Sequence, residues 1–159
     1  MAEFSGSPTG HGRRFAVVAS RFNETVTQKL VDGALDALVR HGANSDDVDL
    51  VWVPGAWELP AAARRLMASE RYNAIVAVGA VIRGETPHFD FVAGEASRGL
   101  ADAGVEFDTP VGFGLLTCDT MIQAEARAGG ALGNKGWDAA LAAMEMADLF
   151  DRLDAADES

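Results

Sequence analysis

The sequence has little of what marks secreted, membrane-bound or nucleic-acid-binding proteins. Its 159 residues include one cysteine, so the chain cannot close an internal disulfide, which is typical of a reducing compartment. No apolar run reaches the roughly 18 residues of a membrane span, and Met1–Gly12 has no signal-peptide pattern. Basic residues are scarce, 13 against 24 acidic ones, and the net charge of −11 disfavours nucleic acid and anionic membranes as partners. We therefore expect a soluble, cytoplasmic protein.

The motifs of several enzyme classes are missing as well. No GxGxxG turn, phosphate-binding P-loop or GxSxG elbow follows any predicted strand. Three scattered histidines and one cysteine lack the spacing of a metal site, and nothing in the sequence makes Cys118 a nucleophile. His11 and His41 are assigned no function. Hydride, kinase, hydrolase and metal chemistry lack their usual residues, and we expect neither a cofactor nor a metal.

Four short, nearly continuous apolar runs provide the core of the predicted fold. They are Phe15–Ala19, Val48–Val53, Ala74–Val78 and Pro110–Leu116. Continuous rather than alternating apolar residues are typical of parallel strands covered on both faces. The intervals between the runs leave room for one helix each, which indicates βαβ units. The sequence predicts a three-layer α/β/α sandwich around a four-stranded parallel sheet, a flavodoxin-like arrangement.

Helix-capping residues in the intervals between these runs mark where the predicted helices begin and end. The predicted signals are Asn23 and Gly42 for the first helix, Pro60 for the second, Thr86-Pro87 and Gly104 for the third, a Thr120–Gln123 capping box for the fourth, and Lys135 to about Leu153 for the last. No linker divides the chain. We predict a flexible segment over 1–13, a single domain over 14–154 and an acidic tail over 155–159.

Residues suited to chemistry follow the predicted strands. In an open parallel sheet, ligands bind beyond the carboxyl ends of the strands. The segments at that edge are Ser20–Asn23, Gly55–Glu58, Gly79–His88 and Leu116–Asp119. Each of them combines small residues with an aromatic ring, a hydroxyl group or a charge, so we expect the functional site there.

Each candidate at this edge also has a structural interpretation. Phe22 and Trp57 can stack on a flat ring or simply close the top of the core. Glu58 can accept hydrogen bonds from a ligand or complement a helix dipole. His88, in the first turn of a helix, can exchange a proton as a neutral ring or be structural.

Two further segments favour an anionic ligand despite the acidic net charge. Gly84–His88 is a glycine loop running into a helix N-terminus, where unpaired N–H groups and the helix dipole attract anions. Arg127 and Lys135 flank a glycine-rich stretch that we expect to be a flexible basic loop. The structural interpretation of Arg127 is that it caps the helix that it ends.

Together, four segments resemble the lumazine synthase family in order and spacing: Arg21–Asn23, Pro54–Pro60, Val78–Asp90 and Gly133–Gly136. The resemblance runs from about Arg14 to Leu149, and the Val78–Asp90 segment is its most specific part. It implies condensation of 5-amino-6-(D-ribitylamino)uracil with 3,4-dihydroxy-2-butanone 4-phosphate to give 6,7-dimethyl-8-ribityllumazine, phosphate and water, the penultimate step of riboflavin biosynthesis. No cofactor is implied.

The resemblance also implies a role for each site residue. His88 would shuttle protons. The pyrimidine substrate would be bound by Phe22, Ala56, Trp57, Glu58, Ala80, Val81, Ile82, Phe113 and Lys135. The butanone phosphate would be bound by Gly84, Glu85, Thr86 and Arg127. Trp57 departs from the phenylalanine often found in the motif, and Glu85 departs from smaller or neutral residues.

Assembly is a further implication of the resemblance. Family members form homopentamers, many of them shells of 60 subunits, with Phe113 and Lys135 at positions that contribute to a neighbour's site. The short connection Gly129–Gly136 favours the shell, and association with riboflavin synthase is a further expectation. Three other hypotheses stay open: a non-catalytic flavin- or lumazine-binding or shell protein, a riboflavin synthase of the small α/β type, and a flavodoxin-like regulator.

Overall fold

The centre of the molecule is a sheet of four parallel strands, β1 (Phe15–Ser20), β2 (Val48–Val53), β3 (Ala74–Ile82) and β4 (Val111–Cys118). In the computed structural model, which describes residues 1–158, the strands lie in the order β2-β1-β3-β4. Phe15 pairs with Val48 on one side and with Ala74 on the other. The predicted four-stranded parallel sheet is confirmed.

Five helices cover this sheet: α1 (Glu24–Arg40), α2 (Leu59–Ala68), α3 (His88–Glu106), α4 (Met121–Arg127) and α5 (Lys135–Asp157). Side chains of β1 alternate between two cores because successive residues of a strand point to opposite faces. Phe15 and Val17 pack with residues of α1 and α5, whereas Ala16 and Val18 pack with residues of α2 and α3. This gives the predicted three layers.

α1 and α5 approach each other closely because small and amide side chains lie between them. Gly136, the second residue of α5, is buried against the carbonyl of Leu30 in α1. Asn134 precedes α5, accepts a hydrogen bond from the N–H of Trp137 (3.1 Å) and donates one to the carbonyl of Lys29 (3.0 Å). The same side chain therefore caps α5 and ties it to α1.

The predicted helix signals have mixed outcomes. Thr120 and Gln123 form the capping box at the start of α4, and Gly42 has the positive φ (102°) of a helix stop. Asn23 is the N-cap residue of α1, as predicted, but its side chain does not cap the helix. Asn23 lies in the left-handed region (φ 61°), and its amide donates to the carbonyl of Ala80 (2.9 Å). A side chain caps a helix from extended backbone, which Asn23 does not have.

The segment predicted as a flexible basic loop contains a small antiparallel ribbon of β5 (Ala128–Gly130) and β6 (Gly133–Asn134). Gly129 (φ 96°) and Gly133 (φ 83°) allow the tight turn. A defined ribbon therefore joins α4 to α5.

The predicted domain boundaries stay a prediction. The structure adds that the N–H of Ser7 donates to Asp148 of α5 (2.8 Å) and that the N–H of Gly10 donates to the carbonyl of His41 (2.8 Å). α5 continues to Asp157, so the predicted acidic tail is helical at its start, and residue 159 lies outside the described residues. Over residues 1–158, no helix combines the length and apolar content needed to cross a membrane.

Candidate active site

A cavity of about 800 Å³ opens at the carboxyl ends of β1, β2 and β3. Ten of the fourteen predicted site residues line it: Phe22, Ala56, Trp57, Glu58, Ala80, Val81, Ile82, Gly84, Thr86 and His88. Its floor is apolar and buried, since Ala80 and Val81 are at most 9% exposed. The expected edge of the sheet therefore holds most of the candidates.

Backbone hydrogen bonds hold the loop that follows β1 next to the loop that follows β2. The N–H of Arg21 donates to the carbonyl of Val53 (2.8 Å), and that of Phe22 donates to the carbonyl of Pro54 (3.0 Å). The rings of Phe22 and Trp57 remain 71% and 59% exposed. Residues that close a core would be buried, so this exposure favours the ring-stacking interpretation.

Glu58 lines the cavity and has an unsatisfied carboxylate oxygen among the described residues. Its N–H donates to the carbonyl of Gly55 (3.2 Å) and closes a short 3₁₀ turn over Ala56–Glu58 at the start of α2. Its Oε2 atom is buried and has no hydrogen-bond partner in the described part of the chain. Buried polar atoms are nearly always satisfied. This oxygen is therefore suited to accept hydrogen bonds from a hydroxyl-bearing ligand.

The glycine loop lies between the end of β3 and the start of α3. β3 extends to Ile82, four residues past the predicted end, and brings Val81 and Ile82 to the cavity. His88 is exposed at the first position of α3, and its N–H lies 3.4 Å from the hydroxyl oxygen of Thr86. Glu85 is exposed but does not line the cavity, in contrast to its neighbours Gly84 and Thr86.

The other three predicted residues lie elsewhere on the chain. Phe113, Arg127 and Lys135 line a second cleft of about 430 Å³ beside the edge strand β4. Arg127 donates to the carbonyl of Gln123 (3.0 Å), so it does cap α4, and Lys135 is exposed at the start of α5. A single chain therefore divides the predicted site between two depressions.

Cys118 lies in this second cleft without the properties of a nucleophile. Burial raises the pKa of its thiol, and the nearby charge of Arg127 opposes that effect. A thiol with a raised pKa is mostly protonated at neutral pH and reacts slowly. This agrees with the sequence analysis, which gave Cys118 no catalytic role. Among residues 1–158, no three metal-ligating side chains form a group.

Five residues of the large cavity had been given no site role from the sequence. They are Pro54, Gly55, Phe89, Phe91 and Val92. Phe89 and Val92 share a helical spacing with Ala96 and Leu100, which is typical of core packing rather than of a ligand site. Phe91 lies off that spacing and is 66% exposed. A phenylalanine off the apolar face of the helix was the available signal for an extended aromatic rim.

Comparisons with known proteins show which family the chain is similar to. The family model described as 6,7-dimethyl-8-ribityllumazine synthase matches residues 12–151. The chain is 68% identical over 152 residues to a protein of that name from Gemmatimonas aurantiaca, covering 96% of this chain and 93% of the relative. It is 51% identical over 153 residues to another from Aquifex aeolicus, covering 96% and 99%.

Proposed function

The chain belongs to the 6,7-dimethyl-8-ribityllumazine synthase family, and from this premise we propose how its own residues carry out the reaction. The enzyme is a transferase of riboflavin biosynthesis. It condenses 5-amino-6-(D-ribitylamino)uracil with 3,4-dihydroxy-2-butanone 4-phosphate and releases phosphate and water. The observation that carries the residue assignment is the single cavity shared by ten of the predicted residues.

The pyrimidine substrate binds at the aromatic end of the cavity. Its flat ring stacks on Phe22, with Trp57 beside it, because offset stacking suits rings that are held at a cavity rim. Backbone groups of Ala56, Ala80, Val81 and Ile82 contact the uracil edge. The unpartnered oxygen of Glu58 accepts hydrogen bonds from the ribityl hydroxyls, which satisfies a buried acceptor.

The butanone phosphate binds at the glycine loop, where Gly84 and Thr86 lead into α3. Free N–H groups and the positive end of the helix dipole favour a phosphate group there. Arg127 supplies a planar guanidinium fork, and one of its N–H groups is already used on α4. Glu85 adds a negative charge beside this position and weakens the attraction.

His88 moves the protons. The 5-amino group of the pyrimidine attacks the ketone of the second substrate, and one water leaves as the imine forms. Phosphate is then expelled by elimination, and the ribitylamino nitrogen closes the second ring on the remaining carbonyl carbon with loss of a second water. Each of these steps transfers a proton, and the imidazole of His88 next to the phosphate loop can accept and return it. The remaining acceleration comes from holding the two substrates together.

The direct test follows lumazine fluorescence and phosphate release after purified protein is mixed with both substrates. His88→Ala should lower kcat by about 10²- to 10⁴-fold, the usual contribution of one general acid–base group. Phe22→Leu serves as the control for a change elsewhere in the cavity that leaves proton transfer intact. Wild-type protein that binds lumazine but does not accelerate the reaction would support the non-catalytic binding or shell hypothesis instead.

We also propose that the site is completed by a second copy of the chain. Phe113, Arg127 and Lys135 lie in a different depression from Phe22. Each depression has a large exposed apolar side chain in its lining, Phe91 (66%) in the first and Leu132 (63%) in the second. Apolar surface exposed beside such depressions is typical of an interface. Both observations are satisfied by a ring of subunits in which the β4 cleft of one subunit faces the aromatic cavity of the next. We propose that this ring is a homopentamer and that pentamers form a 60-subunit shell.

Complementation tests this arrangement. Phe22→Ala and Lys135→Ala chains are purified separately, dissociated and reassembled together at equal amounts. In a site between subunits, about a quarter of the random neighbour pairs carry both wild-type residues, so activity returns. In a site within one chain, no pair is complete and activity stays at the level of the single variants. A light-scattering mass equal to one chain would reject the assembly altogether.

Location and partners follow from the same premise. The single thiol, Cys118, is free, which fits the reducing conditions of the cytoplasm, and we propose that the enzyme acts there. We propose that it associates with riboflavin synthase, which consumes its product. Co-sedimentation of the two purified proteins tests this association.

A further inference from the structure

Arg83 is the residue next to the proposed site whose contacts the reaction scheme does not yet use. It follows the last residue of β3 and precedes the loop Gly84–Thr86. Its N–H donates to the carbonyl of Cys118 (2.9 Å) and extends the pairing of β3 with β4 by one position. Its backbone is therefore fixed to the sheet.

The side chain of Arg83 contacts three partners on two other parts of the fold. Nε donates to Asp119 after β4 (2.9 Å), and Nη2 lies 3.3 Å from the carboxylate of Asp90 in the first turn of α3. The guanidinium carbon lies 4.5 Å from the centre of the Phe89 ring. The hydrogen bond to Asp119 and the charge of Asp90 both raise the pKa of Arg83. One guanidinium thus links β3, the segment after β4 and the start of α3.

The loop that Arg83 spans has few contacts of its own. Within residues 1–158, no backbone hydrogen bond involves Gly84, Glu85 or Thr86, and the bond from His88 to Thr86 is long at 3.4 Å. The conformation of such a loop depends on how its two ends are held. Arg83 holds the first end through its backbone and the second end through Asp90 and Phe89. His88 lies between these anchors.

The exposure of the ion pairs indicates that they do little for overall stability. The side chains of Arg83, Asp90 and Asp119 are 45%, 59% and 67% exposed. Exposed ion pairs contribute little to the free energy of unfolding. Catalysis is far more sensitive, because a displacement of about 1 Å in a reacting group can cost about 100-fold in rate.

We propose that Arg83 is a positioning residue. Through its ion pairs with Asp119 and Asp90 it sets the geometry of His88 and of the proposed phosphate loop, Gly84–Thr86. This inference rests on the site roles proposed above for Gly84, Thr86 and His88. Arg83 does not contact substrate in this proposal, because its Nε and Nη2 atoms face the carboxylates of Asp119 and Asp90. A lysine could keep the charge but could not make these three contacts together.

The experiment measures kcat, the KM of each substrate and the melting temperature for Arg83→Met, Arg83→Lys and Asp119→Asn. Arg98→Met is the matched control, since Arg98 is also on the surface and pairs with Glu95 and Asp102 of α3. Arg83→Met should lower kcat/KM for the butanone phosphate by about 10- to 100-fold and leave the KM of the pyrimidine and the melting temperature unchanged. Arg83→Lys should be intermediate, and Arg98→Met should behave as wild type.

Asp119→Asn decides between positioning and direct contact. If Arg83 acts through its ion pair with Asp119, Asp119→Asn impairs the same kinetic constants as Arg83→Met. The double variant is then no worse than Arg83→Met alone, because both changes remove the same interaction. If Arg83 bound the phosphate directly, removing its carboxylate partner would leave activity equal or higher, which would overturn the proposal. Wild-type kinetics in Arg83→Met would overturn it as well.

The two proposals can fail separately. His88→Ala with full activity would reject the assignment of the loop to the active site. An impaired His88→Ala together with an unimpaired Arg83→Met would reject only the role of Arg83.

Discussion

The two faces of the sheet are built for different purposes. On the α1/α5 face, helices lie so close that a methyl group added at Gly136 would be 2.0 Å from the carbonyl oxygen of Leu30. On the α2/α3 face, a methyl group at Gly94 would meet no described atom within 4 Å, and a cavity of about 800 Å³ opens at the strand ends. Leu30 and Met144 are fully buried on the first face, while Phe22 and Phe91 are exposed on the second.

This difference shows how a small fold separates stability from chemistry. Close packing of α1 on α5 helps to fix the parallel strands, and the cavity opens at the carboxyl ends of these strands, on the side of α2 and α3. The loop Gly84–Thr86 has few hydrogen bonds of its own, and low local stability is typical of segments that bind ligands. Changes in the contact between α1 and α5 should therefore alter folding, and changes at the cavity rim should alter kinetics.

The largest expected effect is that of Gly136→Ala. The added methyl group collides with backbone rather than with a flexible side chain, so α1 and α5 must separate. We expect the free energy of unfolding to fall by about 3 kcal/mol or more, at the upper end of overpacking effects. Chemical denaturation measures it.

Gly94→Ala is the control on the opposite face, at an exposed position of α3. It should stabilise the protein by about 0.4–1 kcal/mol, because alanine restricts the unfolded chain without a clash in the folded one. Equal destabilisation by both changes would remove the distinction between the two faces.

The second effect concerns binding and not folding. Phe22→Ala should raise the KM of the pyrimidine substrate by about 10- to 100-fold, since loss of a stacking ring costs roughly 1–3 kcal/mol. The free energy of unfolding should change by less than about 0.5 kcal/mol, because the side chain is 71% exposed. Steady-state kinetics and denaturation of the same preparation give both values. A large loss of stability with unchanged KM would reveal a core residue instead.

The smallest expected effect is the loss, at acid pH, of the contribution that Asp148 of α5 makes to the free energy of unfolding. The backbone N–H of Ser7 and the side chains of Arg152 and Arg13 hold the pKa of the Asp148 carboxyl below its ordinary value of 3.8. A lowered pKa in the folded state stabilises the protein above 3.8, and this contribution is lost as the pH falls through the folded-state pKa.

Asp148→Asn tests this directly. The variant should be less stable than wild type at neutral pH, and the difference should shrink as the pH falls below 3.8. Unfolding curves across that range measure it, with Asp36→Asn, on an exposed ion pair with Arg40, as the control. A difference independent of pH would show that the carboxylate charge is not what matters.

Much of the fold could be predicted from local pattern. The β2 run Val48–Val53 was located to the residue, because continuous apolar residues bounded by turns leave little ambiguity, and the Thr120–Gln123 capping box depends on only four neighbouring residues. Asn23 precedes α1 as predicted, but its amide donates to the carbonyl of Ala80, 57 residues away, instead of capping the helix, and no local pattern reveals that partner.

The site shows the same division. The residue types and their order were sufficient to predict that most candidates gather at the strand ends, and ten of the fourteen share one cavity. Their order could not show that Phe113, Arg127 and Lys135 lie in another cleft. The strand order places β4 at the opposite edge of the sheet from β2, and the cleft beside β4 is separate from the cavity at the ends of β1, β2 and β3.

By itself, the sequence determined the parallel sheet, the family and the candidate residues, because apolar periodicity, caps and motif spacing are local properties of the chain. The tertiary structure decided which candidates meet, which oxygen of Glu58 lacks a partner, and that Arg83 pairs with Asp90 and Asp119 on the two sides of the loop Gly84–Thr86. These are relations between residues distant in sequence, and they exist only once the packing of strands and helices has brought the residues together.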